Sequence, residues 1–406
     1  MTTTAEDSDL LRDAVRGALS QLSSSADVRR AMATPRGFED PVWHRLAREL
    51  GLPGLTLPER HGGGGLTEAE LAIAFEEAGA SLLCAPLFAT AGLAVPLLTA
   101  LGDEAAIARF GPAIAAGELT ATVALAEDAG RWQPDSVQCA ATPATAPAAT
   151  PAPAATPVPA PAATAPATTS APATTPAPTP EWVLHGVKNY VVDGGTAGLI
   201  LVIARAGGEL GVFAVRGDAP GLEREPLVTL DQTRKQARLV LRATPAERVG
   251  TGDAASAIAR ATAVSRALLA AEQTGGAQRC LDMTVDYAKS RIQFGRAIGS
   301  FQAVKQRLAE MLVQVESARS AAQAAATAAA AGDAELEHVA AIAALTCGEA
   351  YTWVTAQTVQ LHGGIGFTWE HDAHLYFKRA RASALLLGSP SELTDLIGQQ
   401  LDTIVR

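Results

Sequence analysis

The spacing of apolar residues changes twice along the chain, dividing it into three parts. In the first part apolar residues recur every three or four positions, which predicts helices over residues 7–23, 41–50, 67–78 and 104–116. Alternating, β-branched runs follow, which predict strands over residues 120–125, 182–184, 188–192, 199–204, 210–215 and 238–241. Helical spacing then returns from about residue 254 and continues to the end of the sequence. An α+β fold is therefore expected, with helical domains on both sides of a β domain.

The predicted domain boundaries follow these changes of pattern. A length of 406 residues is too great for one ordinary core, and we expect a helical domain at 1–118, a β domain at 119–245 and a helical bundle at 246–406. The bundle helices are predicted over residues 254–287, 302–331, 333–362, 375–386 and 393–404. Gly332 is expected to end the second of these helices, and Gly363-Gly364 the third.

Residues 140–180 interrupt the β domain with a segment that is almost purely alanine, proline and threonine. Its prolines remove backbone donors, and it holds almost nothing large enough to bury. We predict a disordered insertion, partly in the polyproline-II conformation, within a loop of the β domain.

Charge and cysteine usage exclude several classes of function. The net charge is −10 without a basic block, which argues against nucleic acid or an anionic membrane surface as a partner. The four cysteines are widely separated, so neither structural zinc nor a disulfide framework is expected, and no third ligand accompanies His371 and His374. The N-terminal residues lack a basic region and an apolar core, which favours a cytoplasmic location.

One uncharged run, residues 81–101, is long enough to cross a bilayer. Pro86 and Pro96 interrupt it, so buried helices joined by a turn are the favoured interpretation.

Two motifs in the last domain suggest a cofactor site. The stretch 281–304, LDMTVDYAKSRIQFGRAIGSFQAV, starts as a helix and runs into Arg291, Phe294 and then Gln302. A planar guanidinium suits a diphosphate, and an amide suits adenine or pyrophosphate. The stretch 359–367, VQLHGGIGF, places glycines at a helix end, where backbone can approach a ligand closely. Together, R-x-Q-F-G-(x)5-F-Q and the later Q-L-H-G-G resemble the signature of the acyl-CoA dehydrogenase family.

The resemblance implies a fold and a reaction. It implies an N-terminal α-helical domain, a middle β barrel and a C-terminal four-helix bundle. It also implies that the protein oxidises an acyl-CoA to the 2,3-enoyl-CoA with FAD. It further implies an electron-transfer flavoprotein or similar acceptor, and assembly as a homo-oligomer or as a heteromer with a paralogous subunit. The residues that it assigns to FAD, in part to the FAD of a neighbouring subunit, are Arg291, Phe294, Gln302, Gln360, Gly363 and Gly364.

On the substrate side the resemblance assigns Arg266 and Gly388. It also places the loop at residues 124–130 beside the flavin ring. The usual Thr-Glu-Pro of that loop is Ala126-Glu127-Asp128 here, so a hydroxyl contact to the flavin is lost at Ala126.

The catalytic base departs from the family pattern. Leu387 stands where most members carry a glutamate before a glycine, and leucine cannot accept a proton. A minority of the family carries the base on an earlier helix, at the position of Ser265 here. Glu272, two helical turns further along that helix, is the substitute we predict, with Glu370 and Asp372 as weaker choices.

Three functions stay open at this point. The first is an active FAD-dependent acyl-CoA dehydrogenase, and the second is a non-catalytic subunit that completes a flavin site in a heteromer. The third is a related flavoenzyme acting on another substrate. The stretches AAEQTGGAQRCLD, SFQAVKQRLAEM and GFTWEHDAHLYFKRA are similar to the actinobacterial branch associated with sterol side-chain degradation, whose members pair as heteromers.

Overall fold

The computed structural model describes residues 5–144 and 181–404. Each of the four helices predicted for the N-terminal domain is present within about two residues, and a further helix follows the first. Ser24 then caps a separate helix, its hydroxyl accepting from the Asp27 backbone N–H. The helices are α1 (Ala5–Leu22), α2 (Ser25–Met32), α3 (Asp40–Arg48), α4 (Glu68–Ala80), α5 (Val95–Ala100) and α6 (Glu104–Ala115).

The uncharged run begins as a turn and then forms one continuous helix over residues 87–100, without the predicted turn between its prolines. A π-helical segment, Phe88–Ala94, leads directly into α5. Pro96 lies at the start of α5, where the hydrogen-bond ladder changes register and a missing N–H disrupts least. Thr90 exchanges two hydrogen bonds with Ala121 of the next domain, its hydroxyl donating to the carbonyl at 3.2 Å and accepting from the N–H at 3.1 Å. The run is therefore the buried element that joins the first two domains.

The middle domain is a closed barrel, as predicted. β5 pairs with both β4 and β7, which closes the ring β4-β2-β3-β7-β5, while β1 pairs with β4 in parallel and β6 pairs with β7. The strands are β1 (Ala121–Ala124), β2 (Ala140–Pro143), β3 (Trp182–Val192), β4 (Leu199–Ala206), β5 (Glu209–Arg216), β6 (Leu222–Pro226) and β7 (Gln236–Val249).

The strand β2 corrects the predicted start of the insertion. Residues 140–143 pair with β3 and β4 instead of belonging to a disordered loop. Their alanine and threonine side chains gave no strand signal, because backbone pairing inside the barrel, and not side-chain burial, holds them. The remainder of the predicted insertion, residues 145–180, lies outside the described residues.

The last domain is a helical bundle around α7. Its elements are α7 (Ala254–Ser290), a hairpin of β8 (Ile292–Gln293) and β9 (Arg296–Ala297), α8 (Gln302–Ala331), α9 (Leu336–His362), α10 (Gly364–Phe367), α11 (Ala373–Ser383) and α12 (Pro390–Ile404). Gly332 ends α8 in the left-handed conformation, as predicted. Among the described residues, α9 alone is long and apolar enough to cross a membrane, and half of its most apolar stretch is buried in the bundle.

Close backbone contact fixes α7 against the first domain. A Cβ added at Gly79 would come within 1.9 Å of the Glu272 carbonyl oxygen, and one at Gly275 within 1.8 Å of the Glu76 carbonyl oxygen. Only glycine permits this approach of α4 to α7. This contact explains why a helix of 37 residues contains Gly275.

Candidate active site

The turn before α12, where Leu387 replaces the glutamate of most family members, has an unusual backbone conformation. Leu387 has a φ of +63°, a conformation that costs a branched side chain energy, and Gly388 follows with a φ of +131°. The Arg266 Nε donates to the Leu387 carbonyl oxygen at 2.9 Å. Beyond the turn, the Ser389 N–H donates to the Glu392 carboxylate at 2.8 Å and so fixes the start of α12. The turn is therefore held from both sides.

The two positions at which the family resemblance places a base lie together. Leu387 and Ser265 line one gap of about 20 Å³, which we call the apolar gap. Its volume is no more than one water molecule needs. Its other lining residues are Leu93, Leu97, Val123, Leu125, Trp132, Ile203, Ile258, Ala261 and Thr262. The gap thus has no carboxylate and no room for an acyl chain.

Arg266 lies beside this gap, where burial lowers the pKa of its guanidinium to about 10. At neutral pH it remains charged, and its hydrogen bond to Leu387 accounts for its position. The substrate-side role of Arg266 and Gly388 stays a prediction.

An open cavity of about 490 Å³ adjoins the apolar gap. Trp132 and Tyr190 form part of its wall from the β domain, and Leu385 and Leu386 from the turn before α12. Trp132 lines both spaces and is only 6% exposed. No motif or periodicity in the sequence pointed to Trp132. The open cavity is large enough for a flat ring system, which agrees with the placement of the flavin by the resemblance.

The loop at residues 124–130, one edge of this region, is pinned by a buried ion pair. Lys188 is 0% exposed and donates to the Leu125 carbonyl at 3.0 Å and to the Glu127 carboxylate at 2.8 Å. Burial alone would raise the pKa of the Glu127 carboxyl. Lys188 and two backbone N–H groups outweigh this effect of burial, so the pKa of Glu127 is lowered. The Asn189 N–H donates to the Ala126 carbonyl at 2.8 Å. The loop that lost its threonine is thus still rigid.

Glu272 lies in a buried cluster of charges where the three domains meet. It is 4% exposed, and its two carboxylate oxygens accept hydrogen bonds from different arginines, Arg234 and, at 3.0 Å, Arg379. Arg379 also donates to the Asp231 carboxylate at 2.8 Å. Because guanidinium groups bond both oxygens of Glu272, neither oxygen is left free to face a substrate. The geometry therefore argues against the predicted role of Glu272 as base and gives it a structural one.

Asp193 borders the same cluster, but among the described residues no arginine is hydrogen-bonded to its carboxylate. Burial raises its pKa to about 7, against the opposing influence of Arg234 and Arg379. Since an unfolded aspartate titrates near 3.8, the folded state binds the additional proton between about pH 4 and pH 7. Its contribution to stability is therefore lost as the pH rises through this window.

We expect Asp193→Asn to remove this pH dependence, because the amide is a neutral isostere of the protonated acid. The parent should lose up to about a few kcal/mol more stability than the variant between pH 5 and pH 8. Urea unfolding at the two pH values measures this difference. Equal losses in both proteins would contradict the assignment.

Both cofactor motifs lie at one end of the bundle. Near the end of α7, Tyr287 stacks on His362 at the end of α9, with ring centroids 4.4 Å apart. The Thr284 and Thr358 hydroxyls are 3.2 Å apart one turn earlier. Arg291 with the β8–β9 hairpin and Gly363 with α10 therefore emerge at the same end of the bundle.

These motifs are exposed. Phe294 is 92% exposed, Phe367 84% and Trp369 65%. Gln302, Gln360, Gly363 and Gly364 are exposed as well. Within the described residues, the Arg291 guanidinium makes neither an ion pair nor a hydrogen bond. Five exposed apolar side chains lie in these motifs and just after them, and we call this group the aromatic surface: Ile292, Phe294, Ile365, Phe367 and Trp369.

Gly363 has a φ of +60°, and a Cβ at Gly363 or Gly364 would meet no other atom. The positive φ requires glycine at Gly363, while the open space leaves room for a ligand against the backbone. This cradle, together with a free guanidinium, fits a diphosphate. No group of three or more His, Cys, Asp or Glu residues arranged to hold a metal ion occurs within residues 5–144 and 181–404.

A larger cleft, of about 900 Å³, lies between α1, α4 and the C-terminal helices. Several of its charged side chains pair with one another, since Arg12 pairs with Glu76 at 2.8 Å and Arg16 with Glu77 at 2.8 Å. We therefore interpret it as an ionic contact between domains.

Comparisons with known proteins agree with this architecture. Models for the acyl-CoA dehydrogenase N-terminal and C-terminal domains match residues 5–118 and 255–401. The chain is 34% identical over 392 residues, 96% of both chains, to acyl-CoA dehydrogenase IpdE2 from Mycobacterium tuberculosis. Its structure also resembles that of a variant of the Tcur3481-Tcur3483 steroid ACAD, with a TM-score of 0.81 and 28% sequence identity. The match covers 98% of this chain and 99% of that chain. The ChsE4-ChsE5 complex from Mycobacterium tuberculosis gives a TM-score of 0.80 at 26% identity, covering 99% of both chains.

The chain belongs to the acyl-CoA dehydrogenase family. The predicted family and fold are thereby confirmed.

Proposed function

We propose that this chain is the flavin-completing, base-lacking subunit of a two-chain, FAD-dependent acyl-CoA dehydrogenase. The observation that carries the proposal is the apolar gap, where Leu387 and Ser265, the two positions for a base, meet without a carboxylate. The catalytic base would then belong to a paralogous chain of the same fold. Two solved structures to which this chain is similar are named as pairs of chains, which supports such an assembly.

The flavin would accept a hydride from the β carbon of the acyl-CoA, and the protein's part is to bind and orient it. Arg291 would hold the diphosphate of the partner's FAD, with the exposed backbone at Gly363 and Gly364 beside it. Gln302 and Gln360 would supply amides to the same cofactor. The name of one relative, a steroid ACAD, supports a steroid-derived acyl-CoA as the substrate class of the assembly.

Arg291→Ala should weaken FAD binding by the assembled protein. A charge-assisted hydrogen bond is worth about 1.5–3 kcal/mol, so we expect a loss of roughly 10- to 100-fold in affinity. Titration of the apo-assembly with FAD, followed by flavin fluorescence, gives the dissociation constant. Arg381→Ala, at an exposed position outside the cofactor motifs, is the matched control. Unchanged affinity in Arg291→Ala would remove this residue from the cofactor site.

The proposal as a whole is tested by co-expression. The chain is purified with a paralogous chain that carries glutamate at the position of Leu387, and turnover of acyl-CoA is measured for the pair. Changing that glutamate to glutamine in the partner should abolish turnover, because general-base catalysis contributes about 10²–10⁴-fold. Glu272→Gln in this chain should not change the pH profile of the turnover that the pair retains. Loss of turnover only in the Glu272 variant would instead make this chain the catalytic one.

A further inference from the structure

The apolar gap and the open cavity share one wall, the indole of Trp132. On one side Trp132 faces the open cavity with Tyr190 and Leu386, and on the other it faces the gap with Leu387 and Leu93. Its side chain is 6% exposed, so it fills the space between the two. Removing the indole would join the gap to the open cavity.

The space so joined would be apolar in its deep part. Around the gap, helix α7 contributes Ile258 and Ala261, α5 contributes Leu97 and the barrel contributes Ile203. An engineered apolar cavity of roughly 150 Å³ binds small apolar ligands, and the volume of an indole is of that order. A slot of this shape, closed by aliphatic side chains and open at the cavity, would accept an aliphatic chain end-on.

We propose that Trp132 is a plug that excludes acyl chains from this subunit, and that it determines specificity together with Leu387. The proposal rests on the proposed function, since a subunit without a base gains nothing from binding substrate. Leu387 removes the proton acceptor, whereas Trp132 removes the space. The two residues approach the same point from different parts of the chain, the turn before α12 and the segment that follows the loop at residues 124–130.

The segment that carries the indole is itself fixed. The Glu127 carboxylate accepts hydrogen bonds from the backbone N–H groups of Gln138 and Cys139, which bracket this segment from its far end. The Gly130 N–H donates to the Glu127 carbonyl at 2.8 Å on the near side. Both ends of the segment are thus tied to one residue, which is in turn paired with buried Lys188. An anchored segment holds the indole in place.

The test measures binding of octanoyl-CoA, butyryl-CoA and free CoA to the purified full-length chain by isothermal titration calorimetry. In Trp132→Ala we expect octanoyl-CoA to bind at least roughly tenfold more tightly than in the parent, because several methylene groups leave water. The gain should shrink for butyryl-CoA and vanish for free CoA. Trp353→Ala, which removes a half-buried tryptophan on α9 outside both spaces, should behave like the parent.

Trp132→Phe serves if the alanine variant does not fold, and it should give a smaller gain with the same dependence on chain length. A parent that already distinguishes octanoyl-CoA from butyryl-CoA as strongly as Trp132→Ala would overturn the proposal. So would folded variants without any gain that depends on chain length. Neither result involves turnover or the partner, so the plug can fail while the two-chain function stands.

Discussion

Replacing Arg379 by methionine is expected to destabilise the protein by about 3–5 kcal/mol. Arg379 is 2% exposed, and its guanidinium bonds Asp231, Thr233 and Glu272 at once. Methionine has a similar reach but carries no charge, so Oδ2 of Asp231 and one oxygen of Glu272 would lose the guanidinium that bonds them. Because these residues join the β domain to the helical bundle, the loss should affect cooperative unfolding of both. Urea unfolding followed by circular dichroism measures the change.

The control is Arg216→Met, which breaks an ion pair with Asp218 at the surface. Both side chains are more than 70% exposed, and such pairs contribute only about 0–1 kcal/mol. Neutralising the stranded carboxylate, in the double variant Arg379→Met/Asp231→Asn, should recover part of the stability lost in Arg379→Met. Similar losses in the surface and buried variants would refute a structural role for the cluster.

The second large effect is expected at the aromatic surface. Phe294→Asp and Phe367→Asp should each convert the assembled protein to single chains and weaken its retention of flavin. Aromatic side chains at the centre of an interface are worth about 2–4 kcal/mol each, and a carboxylate there adds the cost of its desolvation. The fold itself should not change, because both side chains are largely exposed in the single chain.

Light scattering gives the mass, and absorbance at the flavin band gives the occupancy. Leu10→Asp is the matched control, since Leu10 is 64% exposed on α1, away from the aromatic surface. This control should keep both the assembly and the flavin. Assembly that persists with full flavin in both phenylalanine variants would place the interface elsewhere.

Periodicity was enough to predict most of the helices and the barrel, because most of these elements bury one regular face. It missed the short elements α2 and β6. It failed at β2, where alanine and threonine in a proline-rich context give no alternating signal, and at the junction of the π-helical segment with α5. At that junction Pro96 coincides with a change of hydrogen-bond register and does not end the helix.

The missing carboxylate at Leu387 was readable from the sequence, since the identity of one residue at a motif position decides it. The fate of Glu272 was not, because its partners are 38 and 107 residues away along the chain. Trp132 was equally hidden, as a loop residue obeys no periodicity that would tell which way its side chain points. The bulky tryptophan after Gly130 in the flavin-side segment was the one available signal.

The measurement that tests the central claim most directly is anaerobic flavin reduction by this chain alone. The purified chain is saturated with FAD and mixed with octanoyl-CoA and a steroid-derived acyl-CoA, and absorbance near the flavin maximum is followed. We predict that the flavin stays oxidised over the time in which the pair with its base-bearing partner is fully reduced. Rapid bleaching by the chain alone would contradict the account, because it would require a base that the apolar gap does not contain.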